Sequence, residues 1–145
     1  MYLYNVEPDR WPGGNPVTGY LDTDGSPVKT EVLLARRNPD THHYWQITFG
    51  KRPQEELYDL RVDADCLVNL ADHPEHQQLR RQLQQELFVR LTNQGDPRML
   101  GQGDAFDRMP HANEGTRNFY ERFMRGERMN TGWVCPTDFE SDDVE

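Results

Sequence analysis

Leucines at positions 79, 83, 87 and 91 recur every four residues, with Phe88 beside them and Glu, Gln and Arg filling the remaining positions. That spacing gathers the apolar residues on one stripe of a helix, and it predicts the clearest element of the chain, from Pro74 to about Asn93. Asp72 is placed to cap this helix, Glu75 lies in its first turn, and Gly95 followed by Pro97 stops it. Elsewhere the apolar residues come in short clumps. "YLYN" (residues 2–5) is rich in β-formers and predicts a strand, and "EELYDLRV" alternates well enough to predict a second, central one. The first strand opens at the very start of the chain, so it reads as cut rather than begun.

Between the two strands the pattern changes. "EPDRWPGGNPVTGYLDTDGSP" is dense in Pro, Gly, Asp and Asn, and a turn-rich run of that length predicts an ordered or functional loop. Ser26 followed by Pro27 then makes a helix start, and "VKTEVLLARR" continues as a short helix with Val28, Val32 and Leu33 on one side. Asn38, Pro39 and Asp40 end it. The spacing in "THHYWQITFGKRPQ" fits either a strand or one short helix, and Thr41 as an N-cap with Gly50 at the far end favours the helix. "DADCLVNLADHP" is a turn-rich connection, residues 116–125 form a weaker helix with Phe119, Tyr120, Phe123 and Met124 at helical spacing, and "MNTGWVCP" reads as extended.

Composition lowers the expected core. The set of apolar residues with glycine makes up roughly 38% of the 145 residues, below the usual 45–50%. We therefore expect long loops, and a partner surface that completes the fold. The net charge of −9 argues against an extended nucleic-acid footprint, which needs clustered positive charge. Acidity concentrates in the closing "DFESDDVE", which reads as a disordered, solvating tail over residues 138–145. No run of about 18 apolar residues exists, so no membrane span is expected. The first residues lack a basic stretch followed by an apolar one, so no signal peptide is expected either. Cys66 and Cys135 form no CxxC motif and read as ordinary thiols.

Few residues point to chemistry. His42–His43 and the His73, His76 pair lack the further ligands that a tetrahedral metal site needs, so they read as surface histidines. "DTDGS" imitates the start of a calcium loop, but Thr30–Glu31 does not supply the glutamate that such a loop needs at its twelfth position. No nucleophile sits beside a positioned base, and "GQGDAF" follows no strand and makes no phosphate loop. "PDRWPGG" is different: an Arg beside a Trp on a glycine-rich loop can offer a guanidinium and an aromatic face to a sulfated or anionic sugar, or Trp11 can simply pack on the sheet.

"KRPQEELYDLRVDADCLVNLADHPEHQQLRRQLQQEL" closely resembles the closing segment of sulfatases, through residues 56–60, Asp63, residues 69–71, Pro74 and the helix to Leu91. "YLYNVEPDRWPGGNP", "DGSPVKT", "YWQITFGKRP" and "GDPR" look like the branch related to N-sulfoglucosamine sulfohydrolases. The likeness covers about Tyr2 to Arg98. It implies an α+β fold in which a small antiparallel sheet, four-stranded in the family, carries a packed amphipathic C-terminal helix. It divides the chain into a subdomain-like region (1–98), an extension with a short helix (99–137) and the acidic tail.

In sulfatases the catalytic part carries a C/S-x-P-x-R motif, oxidised to formylglycine, and a calcium held by Asp and Asn. Neither Cys66 in "DCLVN" nor Cys135 in "VCPTD" has that motif, and the calcium-binding Asp pairs are absent. The resemblance thus implies a C-terminal fragment with no catalytic residue, cofactor or metal of its own, from a family often exported to the periplasm or lysosome. Its expected partners are the separate catalytic domain, a sulfated sugar facing Asp9, Arg10, Trp11 and Asp24, and a second copy through the face left uncovered. The alternative is a non-catalytic module that binds an anionic glycan or a protein.

Overall fold

The computed structural model describes residues 1–140 and combines helices with one two-stranded antiparallel sheet. The chain forms two compact units: Met1–Glu7 with Pro53–Ala112, and Pro8–Arg52 with the chain from Asn113 onward. From Pro8 the loop expected between the strands therefore belongs to the second unit, with the rest of the chain up to Arg52.

In the first unit, β1 (Tyr2–Tyr4) pairs with β2 (Glu55–Leu57), with Leu3 opposite Glu56. β2 is shorter than the alternation predicts, and it is not central. The pairing ends just after Tyr58, where Asp59 opens a turn that leaves Leu60 and Val62 exposed. The outer edge of β2 is closed by a side chain. Asn69 Oδ1 accepts from the N–H groups of Leu57 and Ala71, its Nδ2 donates to the Glu55 carbonyl, and Leu70 N–H donates to the Leu57 carbonyl. One asparagine thus stands in for a strand.

A 3-10 turn (Pro74–His76) leads into the long helix (Gln77–Asn93), whose position matches the leucine repeat. His73 rather than Asp72 occupies the position before the turn. Arg80 and Gln84 both donate to Glu55 Oε1, and Phe88 meets Tyr4 edge to face at 4.9 Å. No residue of this helix is fully buried, so its stripe packs on the sheet without being enclosed.

The core of the second unit is Tyr20, Leu33, Trp45 and Phe49. It is built by α1 (Pro27–Ala35), which Ser26 caps by accepting from Lys29 N–H, and α2 (His42–Phe49). The face of α1 differs from expectation. Val28 is 73% exposed, whereas Lys29 is buried beside Leu33. α2 forms between Thr41 and Gly50, but Thr41 makes no side-chain cap, and Gly50 is extended at φ −62. Glycine is needed there for close approach, because a Cβ would lie 2.6 Å from the Gln46 carbonyl. A last short helix (Phe119–Met124) starts later than the pattern predicts, after Asn118 in a left-handed conformation. "MNTGWVCP" forms no strand: it turns at residues 132–134 and enters a 3-10 turn at Pro136–Asp138.

The segment read as an acidic tail contributes three placed residues, with Asp138 and Glu140 buried and Phe139 stacked on Phe123 at 5.8 Å. Residues 141–145 lie outside the described residues.

Candidate functional site

The residues picked out for substrate, Asp9, Arg10, Trp11 and Asp24, all belong to the second unit, on two loops laced together by their backbones. Gly14 N–H donates to the Trp11 carbonyl, and Asp22 N–H donates to the Gly13 carbonyl. Gly14 has φ +90, and a Cβ there would meet the Leu21 amide nitrogen at 2.8 Å. A side chain at Gly14 would push the two loops apart.

Asp9, Arg10 and Asp24 are exposed, and Trp11 is half-buried. Trp11 packs against the core, its ring 6.3 Å from that of Trp45, which is the inward-packing alternative raised by its sequence. It packs on α2, not on the sheet. Its other side meets the Lys51 ammonium, 5.0 Å from the ring centre. Trp45 in turn lies beneath the Arg36 guanidinium at 5.3 Å and beside His42 at 5.3 Å. The Trp11 ring is therefore packed on the core with the exposed Lys51 ammonium over it, which sets a cation beside the loop.

What fixes these loops is a residue that sequence reasoning passed over. The Lys29 ammonium, with its side chain 1% exposed, donates to the carbonyls of Gly19, Tyr20 and Thr23 at 2.9, 3.2 and 2.7 Å. It also pairs with Asp138 Oδ2 at 3.1 Å. The loop from Gly19 to Thr23 is thus wrapped around one buried cation. Tyr20, at φ +51, inserts its ring into the core, where its hydroxyl accepts from Trp45 Nε1 and burial pushes its pKa up. The signal available in the sequence was faint: Lys29 is one of only two lysines and directly follows the "GSPV" helix start.

The closing segment completes the cage. Gly25 N–H donates to the Trp133 carbonyl, Trp133 Nε1 donates to the Leu21 carbonyl, and Glu140 pairs with Arg36 and Arg37. Asp138 accepts the Cys135 N–H, while its Oδ1 has no hydrogen-bond partner among the described residues.

The histidines make local contacts: His42 on α2 beside Trp45, and the His73, His76 pair within the first unit. His42 Nδ1 lies 2.9 Å from the Arg36 carbonyl, and His73 sits near His76 and Glu75 in the first unit. Among the described residues no group of three or more His, Cys, Asp or Glu side chains is placed to hold a metal ion. Both cysteines are free thiols. No described helix is long and apolar enough to cross a membrane. No protein-family model, curated protein or solved structure matches this chain.

Proposed function

We propose that this chain is the C-terminal fragment of a sulfatase-like hydrolase, supplying fold and pocket wall to a catalytic part that hydrolyses sulfuric esters or N-sulfates, with sulfated sugars the expected substrates. The observation that carries the reading is the behaviour of the residues on which the likeness rests. The "ELYDL" strand, Asp63, the "NLA" asparagine and the Pro74-led helix form one hydrogen-bonded unit, with Asn69 bonded to Glu55, Leu57 and Ala71. Asp63 accepts from Leu67 and Val68 N–H in the same turn. Of the motif positions, Leu57, Asp63, Asn69 and Ala71 take part in these bonds, whereas Leu60 is exposed. In this reading Asp9, Arg10, Trp11 and Asp24 face substrate, and formylglycine and calcium belong to the catalytic part.

The chain lacks a C/S-x-P-x-R motif, so the pure protein assayed with calcium on 4-methylumbelliferyl sulfate and N-sulfated glucosamine is expected to give no turnover. Turnover by the chain alone would overturn the fragment reading. Arg10→Ala and Trp11→Ala, carried at the matching positions of a full-length relative, are expected to lower kcat/KM. Wild-type kinetics there would remove those residues from the pocket wall.

A second reading, a module for anionic glycans, is favoured by the Lys51 ammonium over Trp11. It expects retention on heparin at moderate salt that Lys51→Ala and Trp11→Ala abolish. A flow-through wild type leaves the fragment reading in place.

A further inference from the structure

We infer that the loop from Gly19 to Thr23, closed by Asp138, is a monovalent-cation site whose resident cation is the Lys29 ammonium, and that potassium occupies it once that side chain is cut back. The inference is independent of the sulfatase reading, since it uses only the coordination around Lys29 Nζ. The carbonyl oxygens of Gly19, Tyr20 and Thr23 lie 2.9, 3.2 and 2.7 Å from Nζ, and Asp138 Oδ2 lies at 3.1 Å. An ammonium has only three N–H donors, so a fourth oxygen goes beyond what hydrogen bonding asks for. The shell surrounds a charge rather than matching a set of donors.

The class of cation follows from the oxygens. Gly19, Tyr20 and Thr23 offer neutral carbonyls and Asp138 a carboxylate, so the shell carries a single negative charge and balances a single positive one. Its distances are longer than the about 2.3–2.6 Å of calcium–oxygen bonds and the about 2.0–2.1 Å of magnesium. No imidazole or thiolate takes part, which sets aside the metals that favour those ligands. Backbone carbonyls in place of a hydration shell are the setting in which proteins hold potassium.

The place is closed to solvent, with the side chains of Lys29 and Asp138 1% and 0% exposed. The second oxygen of the carboxylate, Asp138 Oδ1, is buried and has no hydrogen-bond partner among the described residues. A carboxylate coordinates a spherical ion through one oxygen or both, so Oδ1 is a ligand held in reserve. The loop also has bonds that do not use Lys29. Gly19 N–H donates to the Pro16 carbonyl, Tyr20 N–H to the Asn15 carbonyl and Thr23 N–H to the Tyr20 carbonyl, while the Tyr20 ring is anchored in the core. Shortening Lys29 thus takes away a charge and leaves an oxygen shell to receive another.

Lys29→Ala in the intact chain opens the space of the stem and the ammonium. Urea unfolding is followed by the fluorescence of Trp11, Trp45 and Trp133, all in the second unit, with potassium chloride balanced by choline chloride to constant ionic strength. One ion bound only by the folded state raises the folded-to-unfolded ratio of the variant about tenfold for each tenfold rise in potassium above the dissociation constant. The wild type, with its own cation in place, is expected to show no such slope. Lys29→Ala combined with Asp138→Asn is expected to lose the slope, because a neutral amide no longer balances the ion. Should Lys29→Ala be unfolded in choline alone, recovery of native fluorescence on adding potassium is the expected result. A Lys29→Ala chain that responds no more to potassium than to choline, a slope of equal size in the wild type, or a slope that survives Asp138→Asn would overturn the inference.

Discussion

Lys29 and Leu33 are the two buried residues of α1, and Lys29 is the charged one. Its charge is withdrawn from water, a step that costs several kcal/mol unless every donor finds a partner. Three carbonyls and Asp138 provide those partners. Lys29→Met keeps the stem but leaves the buried Asp138 carboxylate without its counter-charge and takes the ammonium from the Gly19 and Thr23 carbonyls, while the Tyr20 carbonyl keeps Thr23 N–H. We expect a loss of about 3–5 kcal/mol. The chain's three tryptophans, Trp11, Trp45 and Trp133, all belong to the second unit, so urea denaturation followed by their fluorescence reads this unit alone. Lys29→Arg should not rescue, because a planar guanidinium cannot direct its donors at carbonyls arranged around a point charge. A loss below about 1 kcal/mol in Lys29→Met would show that the loop holds itself.

Among the elements, the two-stranded sheet is the weakest, since a pair of strands is marginal without further packing. It is held by the long helix on one face and by Asn69 at one edge. Asn69→Ala leaves the Leu57 N–H without its acceptor and is expected to cost about 1–3 kcal/mol, read from faster hydrogen exchange at Leu57 and Ala71. The same turn is acid-sensitive. Leu67 and Val68 N–H groups hold the Asp63 carboxyl below its ordinary value, so the folded state binds its proton less readily than the unfolded chain does. Asp63 therefore stabilises fully above the unfolded carboxyl value of about 4, and that contribution is lost as pH falls from there through the depressed folded value. Amide exchange at Leu67 and Val68, corrected for intrinsic rates, should rise on acidification, and Asp63→Asn should flatten that dependence. Equal pH profiles in the two proteins would exclude Asp63 as the cause.

At the scale of the whole molecule, the second unit closes only when residues far along the chain return to it. Trp133 accepts from Gly25, Asp138 neutralises Lys29, and Glu140 meets Arg36 and Arg37. Removing residues 133–145 strips all three at once. We expect the fluorescence of Trp11 and Trp45 to shift to that of solvated indole, while amides of the long helix keep their protection as an internal control. Native-like fluorescence in the truncated chain would mean that α1, α2 and the loop suffice.

The helix at residues 77–93, the strand at Tyr2, the helix start at Ser26–Pro27 and the turn around "NLAD" were legible because each is set by contacts within a few residues: leucine spacing, a side-chain cap, a proline, an asparagine bridging its neighbours. Of the candidate site, Trp11 and its loop were legible as a feature, since indole, guanidinium and paired glycines in six residues are unusual. Three things depended on the tertiary structure. The buried face of α1 was misread, because periodicity ranks Val28 above Lys29, and only a ring of carbonyls supplied by another loop reverses that order. The division into two units was hidden, because the chain leaves the first unit at Pro8 and re-enters it at Pro53. The closing residues read as solvated acid until Lys29, Arg36 and Arg37 gave Asp138 and Glu140 their counter-charges, and no local pattern records a partner about a hundred residues away.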